Sequence, residues 1–249
     1  MPPIPYHKQK ALLLTCEHAT NKIPQKYASF FHTHRTVSGP WGRKKVGKLL
    51  EDHWGYDPGA LWAAKYLQKK LSSPLFFFPY SRLFIEIDSY LKSSLISNIL
   101  SKLPKIERAR LREQYWTPYA ERIKKFIEKQ NAAGAQIVHI ASHSFTPVFK
   151  GKERHCDIGV LYDPQRKKEA EVARLLCATL KHELPGFIVR RNYPYTGKSE
   201  GLTTHLRKLF KDSRYIGIEI EVNQKYASQK SRGRRKIQDA LVRALNLIQ

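Results

Sequence analysis

Cysteine is scarce in this sequence: Cys16, Cys156 and Cys177 are odd in number, widely spaced and form no C-x-x-C pair. That pattern excludes a disulfide framework and a cysteine-based zinc site, and suits small reduced thiols that fill space, Cys16 included. Acidic residues are also few. With 21 Asp+Glu against 45 Lys+Arg, the chain carries a formal charge of +24. A field of that size attracts polyanions and makes nucleic acid a candidate partner. Yet the basic residues are scattered, and only Lys225–Lys236 (KYASQKSRGRRK) is a concentrated run. A solvated basic surface accounts for such scatter equally well. No zinc finger, RNA-recognition signature or Gly-rich phosphate loop occurs. Long apolar runs are missing too. Ala11–Leu14 is too short for a signal-peptide core or a membrane span, so a cytoplasmic protein without a membrane partner is expected. There is no internal repeat or low-complexity linker, and 249 residues can bury one core, so a single domain over residues 1–249 is expected.

What is present is alternation of short apolar runs with helix-periodic segments. Candidate strands are Ala11–Cys16, Leu75–Pro79, Gln136–Ser142, Asp157–Tyr162, Phe187–Arg191 and Tyr215–Val222. Pro58–Leu71 reads as a helix with Asp57 and Pro58 in N-cap and first-turn order. Ile106–Asn131 reads as one or two helices interrupted near Pro118, because proline breaks the backbone ladder. Gln165–His182 and Arg235–Ile248 complete the helices, the last with Ile237, Leu241, Ala244, Leu245 and Ile248 on one face. This order predicts an α/β three-layer sandwich: a central, mostly parallel sheet flanked by helices. In such sheets the ligand crevice lies beyond the carboxyl ends of the strands.

The polar clusters fall at those ends. Glu17 and His18 ("TCEHATN") follow the first strand, Asp57 precedes a helix, His143 ("SHSFTP") leaves the third strand, and Glu219 and Glu221 lie in "GIEIEVNQ". Two imidazoles, a carboxylate at a helix start and another carboxylate on a strand supply the parts of a hydrolytic zinc site, which needs three protein ligands and an open position. His139 falls inside an apolar strand and reads as a core residue. Glu219 and Glu221 share one strand face. Carboxylates on a covered sheet are costly unless they meet a cation, metal or solvent, which makes Glu219 a candidate general base.

In order along residues 16–224, the segments "CEHATNKIP", "DHWGYDPGALWAAKYL", "SRLFIEID", "SHSFTPV", "RHCDIGVLYDP", "NYPYTGKSEGLTTHLR" and "IGIEIEVNQ" resemble the N-formylglutamate amidohydrolase family. The resemblance implies a zinc-dependent hydrolase on the phosphorylase/hydrolase-like α/β fold shared with zinc carboxypeptidases. Its namesake reaction removes formate from N-formyl-L-glutamate, so a small N-acyl amino acid is the implied substrate. It further implies that His18 and His143 bind zinc and that "IEIE" carries the catalytic glutamate. For the second ligand, Asp57 is favoured because it opens a helix as the zinc carboxylate does in related cell-wall amidases. Asp52, Glu17 and Asn21 stay open as alternatives.

At positions matching the family's motifs, Arg82, Arg154 and Arg207 are candidates to hold substrate carboxylates or an oxyanion, since a guanidinium pairs bidentately. Asn192, Tyr195 and Thr203 are candidates to line the same pocket. The chain departs from the family where an Asp-x-Asn-Arg pattern usually follows "SR": it has Glu86, Ile87, Asp88 and Ser89, and lacks that arginine. Competing readings are a peptide or cell-wall amidase on the same fold, and an inactive basic nucleic-acid-binding protein.

Overall fold

The computed structural model describes residues 9–31, 35–39, 42–86, 103–228 and 231–248. Ile87, Asp88 and Ser89 of the departing motif, and residues 229–230 of the basic run, lie outside them. The chain passes through β1 (Lys10–Cys16), β2 (Thr36–Gly39), β3 (Gly42–Lys45), α1 (Val46–Glu51), α2 (Ala60–Leu71) and β4 (Leu75–Phe77). After them come α3 (Lys105–Leu111), α4 (Thr117–Ala132), β5 (Gln136–Phe145), β6 (Val148–Phe149), β7 (Lys152–Glu153) and β8 (Ile158–Leu161). It ends with α5 (Lys167–Glu183), β9 (Val189–Arg191), α6 (Leu202–Leu209), β10 (Tyr215–Asn223) and α7 (Arg232–Asn246).

Six strands form one sheet in the order β4-β1-β5-β10-β8-β9. β4, β1, β5 and β10 are mutually parallel, whereas β8 runs antiparallel to β10 and parallel to β9. This is the expected mostly parallel sandwich. The inner strands β1, β5, β10 and β8 coincide with largely apolar runs in the sequence, because strands covered on both faces need apolar residues at most positions, whereas the edge strand β9 (VRR) carries two exposed arginines.

One sheet face packs Leu12, Leu14, Val138, Ile140, Ile216, Ile218 and Ile220 against Leu67 of α2, Leu176 of α5 and Leu241 of α7. Each such side chain contributes roughly 1.5–3 kcal/mol on full burial. The other face begins the same way, with Leu13, Ile137 and Tyr215 against Leu49 of α1, Ile123 of α4 and Leu206 of α6. Along each strand it then turns polar. Because side chains alternate, Leu13 is followed on that face by Thr15, Ile137 by His139 and His143, and Tyr215 by Glu219 and Glu221. The site therefore grows from the carboxyl end of the same face that supplies core at the amino end.

Between core and site lies a buried polar bridge. Thr15 Oγ1 is 2.7 Å from His139 Nε2, and Tyr215 Oη is 2.6 Å from His139 Nδ1. Gly217 makes this possible: a Cβ there would stand 2.9 Å from Tyr215 Oη, in the space the phenol crosses to reach His139.

One local expectation needs correction. Asp57 does not cap α2: the residue before Ala60 is Gly59, in the left-handed region at φ 87°, and no side chain caps that end. The Asp57 carboxylate points elsewhere, as described below. The interruption expected near Pro118 is present: a π-helical turn, Arg112–Trp116, separates α3 from α4, and the Thr117 N–H reaches the Arg112 carbonyl five residues back, so the ladder has shifted register just where proline withholds its donor. Within the basic run, Lys225 pairs with Asp157 at 2.5 Å and Arg235 with Asp239 at 3.1 Å, so part of its charge is neutralised within the chain. All three cysteines are buried. Among the described residues no helix is long and apolar enough to cross a membrane.

Candidate metal centre and active site

His18 leaves β1 at a turn whose carbonyl accepts a hydrogen bond from the Asp57 N–H at 2.9 Å, which ties the loop before α2 to the end of β1. His143 comes from β5. The three side chains are buried, and one ligand atom from each lies within 4.8 Å of the others.

The orientation of the rings is informative. His143 Nδ1 is 3.0 Å and His18 Nδ1 3.5 Å from the same oxygen, Asp57 Oδ2. Their other nitrogens meet separate carboxylates: His143 Nε2 is 3.0 Å from Glu17 Oε2, and His18 Nε2 is 2.6 Å from Glu86 Oε1. Both imidazoles thus turn Nδ1 inward and have Nε2 held from outside, the carboxylate–histidine arrangement that fixes tautomer and direction in metal sites. Two nitrogens and one carboxylate oxygen converging in a buried space fit a divalent ion such as zinc.

Electrostatics follow from this crowding. Burial works to raise the Asp57 pKa, but the Arg82 guanidinium, 2.5 Å from Oδ1, together with His18 and His143, holds it well below the usual carboxylate range. Burial also opposes ionisation of Glu17, yet the hydrogen bond and charge of His143 bring its pKa down to about 2. Tyr119 of α4 donates to its other oxygen at 3.3 Å. Glu221 goes the other way. Burial, with Asp57 and Glu219 adding negative charge and His143 opposing them, pushes it up to about 8.

A cavity of about 310 Å³ opens beside these three side chains, and Arg82, Glu86, Tyr195, Glu219 and Glu221 are among its walls. Glu219, the base suggested by the sequence, is one of those walls and accepts a hydrogen bond from Thr203 of α6. The sheet register nevertheless favours its neighbour. Glu221 stands opposite His143, whereas Glu219 stands opposite Ala141, one pair farther from the strand ends. Sequence reasoning saw the shared face but could not see this register.

The substrate candidates divide. Arg82 and Tyr195 line the cavity. Arg154 sits by Tyr195, donating to its Oη at 3.2 Å and stacking 4.5 Å over the Phe149 ring. Arg207 is a correction: it pairs with Glu169 at 3.0 Å and donates to the Gly197 and Gly217 carbonyls, so its guanidinium is committed to holding α6 against the sheet and α5. Asn192 is another. With φ 48° it occupies a tight turn, where its Oδ1 accepts from the Tyr162 and Gly197 N–H groups, a structural task suited to asparagine. Thr203 donates to Glu219 and is not among the described cavity walls. Of the alternative ligands, Asp52 pairs with His53 and Lys44 on a half-exposed loop, Asn21 is exposed, and Glu17 holds His143 from behind.

With this geometry established, the comparisons are specific. The sequence matches the N-formylglutamate amidohydrolase family over residues 10–227. The chain belongs to that family. It is therefore a hydrolase-family protein acting on amide bonds. Its fold is similar to that of the gene product Atu2144 from Agrobacterium tumefaciens, with TM-score 0.74, 28% identity, and coverage of 97% of this chain and 92% of that one. It also resembles N-formylglutamate amidohydrolase from Ralstonia eutropha JMP134, with TM-score 0.69, 16% identity, and coverage of 98% and 94%. At that identity the second likeness speaks for the fold. No protein of curated function matches the sequence.

Glu86 is the residue sequence reasoning undervalued. It appeared only as part of a departure from the Asp-x-Asn-Arg pattern, yet it keeps a carboxylate where that pattern has one and meets His18 Nε2.

Proposed function

We propose that this amidohydrolase is zinc-dependent and cleaves the amide bond of a small N-acyl amino acid, with N-formyl-L-glutamate as the reference substrate. The observation that carries the reading is the convergence of His18 Nδ1 and His143 Nδ1 on Asp57 Oδ2 while both Nε2 atoms are held by carboxylates.

A zinc ion bound by His18, Asp57 and His143 would polarise an amide carbonyl and acidify water. Glu17 and Glu86 fix the tautomer of the two imidazoles, turn their Nδ1 atoms inward and raise their basicity. With the ion's positive charge beside it to offset the burial that otherwise favours its protonated form, Glu221, at the cavity wall and opposite His143 in register, would take the proton from the attacking water and pass it to the departing nitrogen. This moves the base two residues from Glu219, which Thr203 holds lower on the same face. Arg82 is the guanidinium positioned to steady the developing oxyanion. At the mouth, Tyr195 and Arg154 meet the substrate's α-carboxylate.

The test is metal removal and return. Protein stripped by a chelator should lose formate release from N-formyl amino acids and regain it with zinc, saturating near about one ion per chain. Turnover that survives complete stripping would overturn the reading, and so would a zinc-loaded protein inert toward every N-acyl amino acid offered.

A further inference from the structure

Thr15, His139 and Tyr215 come from three adjacent strands, β1, β5 and β10, and all are fully buried. Polar side chains in such a place are costly unless each is satisfied, and their protons then have a determined order. Among the described residues, the only hydrogen-bond partner of Tyr215 Oη is His139 Nδ1, 2.6 Å away. A buried phenol with one partner must donate to it, or its O–H is left without an acceptor. His139 Nδ1 is therefore the bare nitrogen. Burial keeps this ring neutral, with its pKa lowered to about 4, so its one proton sits on Nε2 and points to Thr15 Oγ1 at 2.7 Å. With its oxygen accepting from His139, the Thr15 hydroxyl is left to donate to its other partner, the Glu17 carboxylate two residues along the chain.

Glu17 ends the line. Its carboxylate also accepts from Tyr119 at 3.3 Å and faces His143 Nε2 at 3.0 Å. On the metal-centre reading above, we infer that Thr15, His139 and Tyr215 are positioning residues: one directed line of hydrogen bonds, from Tyr215 through His139 and Thr15 to Glu17, fixes the Glu17 carboxylate against His143 Nε2. Glu17 lies in the turn after β1, and the line roots it in the sheet. The imidazole that Glu17 orients inherits that placement.

The first test needs no metal. In nitrogen-resolved NMR of the imidazoles of the metal-free protein, His139 is expected in the Nε2–H form, and His143 should show a slowly exchanging Nε2–H. His139 in the Nδ1–H form overturns the inference. Thr15→Val keeps the buried shape and removes the hydroxyl, whereas Thr15→Ser keeps the hydroxyl. Exchange of the His143 Nε2–H should quicken at least about tenfold in Thr15→Val and stay near wild type in Thr15→Ser. Unchanged exchange in Thr15→Val overturns the inference.

The second test is zinc affinity by chelator competition, which should weaken at least about tenfold in Thr15→Val and recover in Thr15→Ser. Lost stability with wild-type zinc affinity in Thr15→Val makes the line structural only and overturns the inference. If the wild-type protein takes up no zinc, the metal reading fails, and the metal-free spectra decide the inference by themselves. Should Thr15→Val not fold, His139→Gln and His139→Leu take its place. The amide of His139→Gln donates to Thr15 and accepts from Tyr215, and His139→Leu does neither, so zinc binding should weaken in His139→Leu alone. Equal affinity in those two variants overturns the inference.

Discussion

Glu17 Oε2 lies 3.0 Å from His143 Nε2, and both side chains are buried. The contact leaves Nδ1 as the ring nitrogen facing Asp57 and His18. Glu17 is thus adjacent in sequence to one imidazole of the site while it orients the other, since the turn after β1 sends neighbouring side chains to opposite sides.

Replacing Glu17 by glutamine keeps an acceptor for Nε2–H but removes the charge that makes the imidazole a stronger donor to an ion. Zinc affinity should weaken about 10- to 100-fold with the fold retained, as measured by competition against a chromophoric chelator alongside circular dichroism. Unchanged affinity would show that the pairing is structural only.

The two glutamates of β10 should separate kinetically. Glu221→Gln is expected to lower kcat at least about 100-fold with little change in KM, because it removes the proton acceptor and not the substrate contacts. Glu219→Gln should cost less and alter KM, since that carboxylate lines the cavity while held by Thr203. Steady-state kinetics of the two variants decide the matter. A larger kcat loss in Glu219→Gln returns the base to the residue the sequence alone suggested.

That distinction marks where reading the sequence stops. The runs around Val138, Ile140, Ile218 and Ile220 announce buried strands because nearly every position is apolar, and His18 and His143 stand out because each follows such a run. The choice between Glu219 and Glu221 depends on how β10 pairs with β5, which is a tertiary fact. Arg207 misled for a similar reason: it sits in a family-matching segment, but its partner Glu169 is 38 residues upstream on another helix. The hairpin of β2 and β3 gave no signal, as "TVSG" and "GRKK" carry no apolar alternation.

Arg207 therefore belongs to the stability of the protein. Its side chain is 6% exposed and its Glu169 partner is fully buried; Arg166, 3.0 Å from the same carboxylate, still faces it in Arg207→Ala, so the change leaves Glu169 with one guanidinium instead of two and the Gly197 and Gly217 carbonyls without their donor. A loss of about 1–3 kcal/mol in urea unfolding is expected. Arg154→Ala, by contrast, should raise KM with little change in the unfolding midpoint. Normal stability in Arg207→Ala would restore that residue as a candidate for the substrate.

Acid should weaken the protein through His139. Burial lowers its pKa from 6.5 to about 4, so the folded protein keeps the ring neutral, held between Thr15 and Tyr215, while the unfolded chain takes up a proton below 6.5. Between pH 6.5 and about 4 the unfolded state binds more protons, so unfolding is favoured progressively as pH falls, and stability rises with pH across the same window. Below about 4 both states are protonated and this contribution to the slope disappears. In His139→Gln, whose amide can span the same two hydroxyls without titrating, the protein should be less stable at pH 7 but lose less between pH 6.5 and 4. Urea midpoints of both proteins across that range, taken without metal so that ligand protonation at His18 and His143 is common to both, give the difference directly. Parallel curves would mean that His139 does not take up its proton on unfolding in this window.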